Sequence, residues 1–290
     1  MPELPEVEAT ARLLDEAVRG ERIASTMAPG VNVLKTFDPP LQALDGTTIA
    51  GIRRRGKLLL LDADSDDRGH LTAVIHLMNA GRLQLFDKRA SMKDRTSRLL
   101  IRLDGDGDRE LRLREFGTKQ AAWVRLYTLE GLREDEHRRG LGAEAWPDPP
   151  KPDVLRELLA SARPLHSLLR DQTVIAGIGR TWVDEILHAA KLSPFKRGDD
   201  LSEREAAALR EAIVGELGRA VEHYQQTWKL PLPDKQDKVA RVHAHQGEPC
   251  PRCETVLEAV FFEDYVMTYC PHCQTGGRIL KDRRLSRLLK

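Results

Sequence analysis

The chain has 290 residues, 41 % of them hydrophobic and 31 % charged, with a formal net charge of +1. That length exceeds an ordinary single domain, so two domains and a small module are expected. No apolar run reaches the ~20 residues of a membrane span and nothing resembles a cleavable targeting signal, which points to the cytoplasm, in association with the nucleoid. The near-neutral balance by itself does not announce a nucleic-acid binder.

The chain opens Met1-Pro2-Glu3-Leu4-Pro5-Glu6. Once the initiator methionine is removed, Pro2 becomes a free secondary amine whose ordinary pKa of about 8 leaves it partly neutral at working pH; retention of Met1 would acylate it. Attack by such an amine on a sugar C1′ gives an iminium, an electron sink for later eliminations. Glu3 adds a carboxylate able to act as general acid in a pocket that raises its pKa. The same residues also suit a plain helix start, with Pro5 in the first turn and Glu6 and Glu8 at the positive end of the dipole. Val7, Ala11, Leu14 and Val18 then predict an amphipathic helix over 3–19.

From Ile23 to Leu126 the pattern is one of short β-type runs broken by Gly and Asp, at 58–61, 71–77, 82–86, 98–103 and 121–126. Arg53-Arg54-Arg55-Gly56-Lys57 forms a basic cluster at the mouth of a strand. Residues 131–152 hold charge, glycine and four prolines and read as a linker. Helical periodicity runs from Pro152 to about Gln226, with a Ser202-x-x-Glu205 capping box opening one helix. Within it, Gly177-Ile178-Gly179 precedes an amphipathic helix from Thr181 to Ala190. Glycines there allow close backbone approach, and the helix N-terminus offers N–H groups to a phosphate; simple helix packing is the alternative.

All four cysteines form two pairs, Cys250-Pro-Arg-Cys253 and Cys270-Pro-His-Cys273, separated by sixteen residues. This spacing matches a zinc ribbon in which four thiolates close one structural Zn²⁺ site; a disulfide pair is the alternative. His243, His245 and His272 lie nearby but are surplus to a filled shell. Residues 278–290 end the chain with six cations against Asp282.

These motifs, in this order, resemble the formamidopyrimidine-DNA glycosylase and endonuclease VIII family over nearly the whole chain. Pro2-Glu3-Leu4-Pro5-Glu6-Val7-Glu8 is similar to the formamidopyrimidine branch, and Arg55-Gly56-Lys57 to the family's strand-turn lysine. Asp171-Gln172 with Ala176-Gly177-Ile178-Gly179 resembles its helix–two-turn–helix, and the cysteine pairs its zinc ribbon. The fold class implied is α+β: an N-terminal helix plus β-sandwich (1–130), a linker (131–151), a helix–two-turn–helix domain (152–235), and a zinc ribbon with a basic tail (236–290). DNA would be held between the sandwich and the helical domain. The implied activity is that of a bifunctional DNA glycosylase and AP lyase of base-excision repair, acting as a monomer on double-stranded DNA with damaged bases or abasic sites. Pro2 would attack C1′, Glu3 would open the sugar ring, Glu6 would support them and Lys57 would contact a phosphate. Arg114 and Phe116 match the loop that enters the duplex.

The departures from the family fall on the DNA-reading parts. The family's His-Leu-x-Met-x-Gly is here His76-Leu77-Met78-Asn79-Ala80-Gly81, which moves Met78 by one place and, in a strand, to the other face, leaving gap filling to Asn79 or to Arg114 and Phe116. His76 and Gly179 remain at family DNA-contact positions. His166 stands where the family has a lysine, Arg180 where it has a phosphate-binding asparagine, and Tyr265 where the ribbon has an arginine. Residues 224–241 lack the Gly-Thr-Thr-rich loop that covers oxidised guanine. The basic tail is expected to supply the charge lost at Tyr265, unless it packs through Ile279, Leu280, Leu285, Leu288 and Leu289. A paralogue that binds abasic or distorted DNA with weak catalysis is the alternative function; a ribbon module unrelated to repair would have no use for the N-terminal motif.

Overall fold

The computed structural model describes residues 1–281 apart from 31, 68, 92, 106, 118, 263 and 264, with the backbone only at 138 and 139. The chain divides into two compact units, Met1–Gly140 with Val221–Gln236, and Leu141–Ala220 with Asp237–Lys290. Most of the basic tail, 282–290, lies outside the described residues, and with it Leu285, Leu288 and Leu289.

In the first unit, helix α1 (Leu4–Val18) begins after Glu3, whose backbone is extended, with Pro5 in the first turn. The predicted stripe is the buried one: Val7, Leu14 and Val18 are fully buried and Ala11 is 2 % exposed, and each of the larger side chains is worth about 1.5–3 kcal/mol relative to exposure. Eight strands follow: β1 (Ile23–Met27), β2 (Thr48–Arg55), β3 (Leu58–Ser65), β4 (Gly69–His76), β5 (Gly81–Phe86), β6 (Ser97–Leu103), β7 (Glu110–Glu115) and β8 (Trp123–Thr128). They form two antiparallel sheets, β1-β6-β7-β5 and β2-β3-β4-β8, the layers of the β-sandwich. Leu58–Leu61 of β3 are all buried, so this inner strand is covered on both faces and reads as a continuous apolar run.

The stretch read as a linker contains helix α2 (Leu129–Arg139), capped by the Thr128 hydroxyl, which accepts from the Gly131 N–H at 3.2 Å, and closed by left-handed Gly140. Its sequence hid it: among its described side chains only Leu132 and Asp135 are buried, too few to make an apolar stripe.

The second unit holds β9 (Ala143–Glu144), α3 (Pro152–Leu159), α4 (Leu165–Leu168), β10 (Ile175–Ala176), α5 (Arg180–Ala189), α6 (Glu203–Thr227), β11 (Glu258–Phe261), β12 (Val266–Tyr269) and α7 (Pro271–Thr275). Residues 221–227 of α6 belong to the first unit. The capping box forms: Glu205 accepts from the Ser202 N–H at 2.9 Å, and Ser202 Oγ from the Glu205 N–H at 3.3 Å. Helix α5 anchors the ribbon, because Glu185 Oε1 accepts the backbone N–H groups of Arg241, Val242 and His243 at 3.1, 2.8 and 2.9 Å. Leu280 is buried and its N–H donates to the Tyr269 hydroxyl at 2.7 Å, whereas Ile279 is exposed. Among the described residues no helix is long and apolar enough to cross a membrane.

Candidate active site and nucleic-acid interface

The head of α1 buries three of the sequence-predicted residues. Pro2 is buried, and Glu3 and Glu6 are 2 % and 1 % exposed, while Met1 stays 45 % exposed. The Glu3 N–H donates to Glu6 Oε2 at 2.8 Å, a bond set by the three-residue spacing of the first helical turn. The other Glu6 oxygen, Oε1, accepts from the Tyr224 hydroxyl at 3.0 Å. Lys57 sits in the two-residue turn joining β2 to β3, after Gly56, whose φ of 57° permits the tight reversal. That hairpin is fastened to α1 by Arg54, whose Nε donates to Glu8 Oε2 at 2.8 Å with the Arg54 side chain only 4 % exposed. Pro2, whose nitrogen becomes a secondary amine only once Met1 is removed, a buried carboxylate and a cation-bearing turn are thereby held on one frame, which suits nucleophilic chemistry on a sugar.

A second group of residues lies where the 77–80 turn meets the loop after β7. Strand β4 ends at His76, so Met78 is in a turn with φ 49° rather than in a strand, and the expected strand-face reversal does not occur. His76 builds this turn: its Nδ1 accepts from the Met78 N–H at 2.9 Å and its ring stacks on Trp123 at 5.5 Å. Gly81 closes it so tightly that a Cβ would lie 2.4 Å from the Leu77 carbonyl oxygen. Asn79 is left exposed at the tip. The Phe116 N–H donates to the Ala80 carbonyl at 3.2 Å, which brings Asn79, Arg114 and Phe116 into one patch.

Arg114 stacks over Phe116 at 4.6 Å and is held by Thr96 Oγ1 (3.0 Å), Gln84 Oε1 (3.3 Å) and Asp234 Oδ1 (2.9 Å). Thr96 is fixed in turn by Asp94, whose carboxylate also accepts from Ser97 Oγ at 2.7 Å. Burial would raise the Asp94 pKa, but the Thr96 and Ser97 hydrogen bonds outweigh it and bring it to about 2.

In the second unit the four cysteine sulfurs lie within 4.8 Å of one another and form no disulfide. Their separations of 3.4, 3.5 and 4.0 Å fit the ~3.8 Å expected between sulfurs around a tetrahedral zinc. Cys250, Cys253, Cys270 and Cys273 are the ligands of one structural zinc. Two of the neighbouring histidines pair with carboxylates: His243 Nδ1 lies 2.6 Å from Asp184 and His245 Nδ1 2.9 Å from Glu248. Sequence reasoning missed His188, whose Nε2 lies 3.2 Å from Cys250 Sγ. Burial, with Arg252 and Arg241 nearby, brings its pKa to about 4. Arg252 donates to the His188 and Ala189 carbonyls at 2.8 and 3.3 Å, so the first knuckle is bolted to the end of α5. His188 thus lies in the outer shell of the cysteine site, against a ligand sulfur.

Gln172 explains the turn before α5. Its Nε2 donates to the Ile178 carbonyl at 2.9 Å and its Oε1 accepts from the Gly177 N–H at 2.9 Å, stapling the loop across. Gly177 needs its residue type, with φ 111°; Gly179 has φ −128°, open to any residue, and serves as the N-cap.

Tyr265, at the ribbon-arginine position, stacks on Phe262 at 4.4 Å and His166 at 5.8 Å. The guanidinium carbons of Arg170 and Arg180 lie 4.3 and 5.1 Å from its ring centroid. Arg170 had no sequence signal beyond its charge. His166, where the family has a lysine, is 3 % exposed and 3.3 Å from Asp184; it supports the Tyr265 ring rather than facing solvent. The tyrosine thus gathers two cations that its own side chain lacks.

Family descriptions match the chain in three stretches: the formamidopyrimidine-DNA glycosylase N-terminal domain at residues 1–119, the H2TH domain of the same enzymes at 141–231, and a zinc finger found in FPG and IleRS at 247–276. A formamidopyrimidine-DNA glycosylase of Geobacillus kaustophilus is 32 % identical over 289 residues, covering 94 % of this chain and all of the relative. An uncharacterised formamidopyrimidine-DNA glycosylase-like protein of Mycobacterium tuberculosis is 41 % identical over 152 residues, covering 52 % of this chain and 96 % of the relative. The solved structure of the Lactococcus lactis formamidopyrimidine-DNA glycosylase bound to DNA containing an AP site is 26 % identical, with a TM-score of 0.81 over 94 % of this chain and all of that one.

Proposed function

The chain belongs to the formamidopyrimidine-DNA glycosylase family, the DNA glycosylases of DNA repair, and from that premise we propose that it is a bifunctional glycosylase and AP lyase acting at the nucleoid on duplex DNA with oxidised or ring-opened bases or abasic sites. The observation that carries this reading is the buried Pro2–Glu3 pair at the head of α1, fixed through Glu6.

The damaged nucleotide leaves the stack so that its C1′ can be reached. After removal of Met1, the Pro2 nitrogen bonds to C1′, the C1′–base bond breaks and the base departs with a proton. Glu3 donates a proton to the ring oxygen O4′, the C1′–O4′ bond opens and an iminium forms. Loss of a C2′ proton then breaks the C3′–O bond, and loss of a C4′ proton breaks the C5′–O bond, leaving a one-nucleotide gap. The same electron sink serves both eliminations. Lys57 neutralises a phosphate beside the lesion, while Arg114, Phe116 and Asn79 fill the vacated stack. In the second unit Arg180, Gly179 and Tyr265, with Arg170, hold backbone phosphates. Arg170 and Arg180 beside Tyr265 bring positive charge to this position.

Borohydride trapping on duplexes carrying different lesions tests the reading. A covalent protein–DNA adduct with damaged duplex and none with intact duplex is expected. A protein that only retards abasic DNA in a gel, with no adduct, would be a binding paralogue.

A further inference from the structure

We infer that Tyr224 is a positioning residue of the Pro2–Glu3 site, acting through Glu6; this rests on the proposed reading of that site. The Glu6 carboxylate is the hinge of the argument. One oxygen takes the Glu3 N–H at 2.8 Å and the other the Tyr224 hydroxyl at 3.0 Å, with Glu3, Glu6 and Tyr224 exposed by 2 %, 1 % and 1 %. A buried carboxylate gripped at both oxygens cannot rotate, and bonds to a charged acceptor are the stronger kind. The backbone N–H it holds is that of the residue joined directly to Pro2. Fixing Glu6 therefore fixes the peptide plane between the nucleophile and the acid.

Tyr224 is itself rigid. It lies in the last turns of α6, its ring is packed by Trp228 one turn later at 4.5 Å, and the Trp228 N–H donates to the Tyr224 carbonyl at 2.8 Å. Gln225, its neighbour, accepts from Arg12 of α1 at 3.2 Å, so the segment is fastened to α1 at two points. Arg82 also senses Glu6: burial lowers its pKa, while the charges of Glu6 and Asp234 oppose the shift. Glu6 thus stands between a hydroxyl donor and a guanidinium, and the hydroxyl orients it.

The test uses the full-length protein with Met1 removal verified by mass. Tyr224→Phe keeps the ring and removes the donor. The single-turnover rate of base release should fall roughly tenfold or more, the range for loss of an orienting partner, while the dissociation constant for abasic-analogue duplex stays within about twofold. Glu6→Gln/Tyr224→Phe should be no slower than Glu6→Gln alone, because both changes break one linkage. Trp228→Phe, which loosens the same packing without removing the hydroxyl donor, is the control for folding and should cost clearly less rate than Tyr224→Phe. Multiplicative effects in the double variant, or an equal rate loss in Trp228→Phe at matched melting temperature, would overturn the role. If wild type is active and Tyr224→Phe is equally fast, the role of Tyr224 alone fails. A wild type that neither releases bases nor traps DNA overturns the reading of the site together with it.

Discussion

The head of α1 and the β11–β12 hairpin of the ribbon assemble their functional groups in different ways. At the first, Pro2, Glu3 and Glu6 are near neighbours in sequence, and one turn of helix brings them together. At the second, Tyr265 collects Arg170 and Arg180 from a distant part of the chain. A site built within one turn cannot change a residue without losing its geometry. A site built across elements can lose an arginine at one position and recover charge from two others. The first arrangement is set by local spacing along the chain and the second by the fold.

The largest expected effect separates the two regions by stability. Zinc removal by a chelator, or Cys253→Ser, should unfold the ribbon, since apparent zinc-binding energies in small structural sites are about 10–16 kcal/mol. Duplex binding should be lost with it, because Arg252 and His188 tie the first knuckle to α5. Elemental analysis should give one zinc per wild-type chain; none in freshly reduced protein would remove the basis of this contrast.

Next comes chemistry without stability. Glu3→Gln should slow base release by about 10²–10⁴-fold, the usual worth of a positioned acid, yet spare cleavage at preformed abasic sites and leave the melting temperature unchanged. Parallel loss of both reactions would show that Glu3 is not specific to ring opening and base departure.

A smaller effect tests the compensation at Tyr265. Arg170→Ala and Arg180→Ala should each weaken binding to damaged and intact duplexes alike, and lower the salt slope by about one unit. Deleting 282–290 should lower it further only if the tail adds contacts of its own. Unchanged slopes in both arginine variants, with a flattened slope in the truncation, would move the compensation to the tail.

The smallest effect concerns the support of Arg114. The Asp94 pKa of about 2 lies below the unfolded value of 3.8. Its contribution is therefore present above about pH 4 and lost as pH falls towards 2. The side chain is only partly buried, so screening holds it below about 1 kcal/mol. Asp94→Asn should lower the melting temperature at pH 7 by at most about 2–4 °C, and the difference should vanish near pH 2.

How much of this was readable from the sequence depended on distance along the chain. The α1 stripe, the capping box at Ser202 and the cysteine knuckles are patterns of three or four residues, and each forms as spaced. Helix α2 escaped because its buried side is Leu132 and Asp135 rather than an apolar row. Met78 was misjudged because β4 stops at His76, where the imidazole takes the Met78 N–H and turns the chain. Tyr224, Arg170 and His188 carried no local signal at all. Each matters through a partner that only the fold brings near: Glu6, Tyr265 and Cys250.

The identity of the atom that bonds to C1′ tests the central claim most directly. Borohydride-reduced adducts of the protein with Met1 removed, digested and sequenced by mass spectrometry, should carry the sugar remnant on the Pro2 nitrogen. Protein verified to retain Met1 should give no adduct. A remnant on Lys57, or full trapping by the Met1-retaining form, would contradict the account.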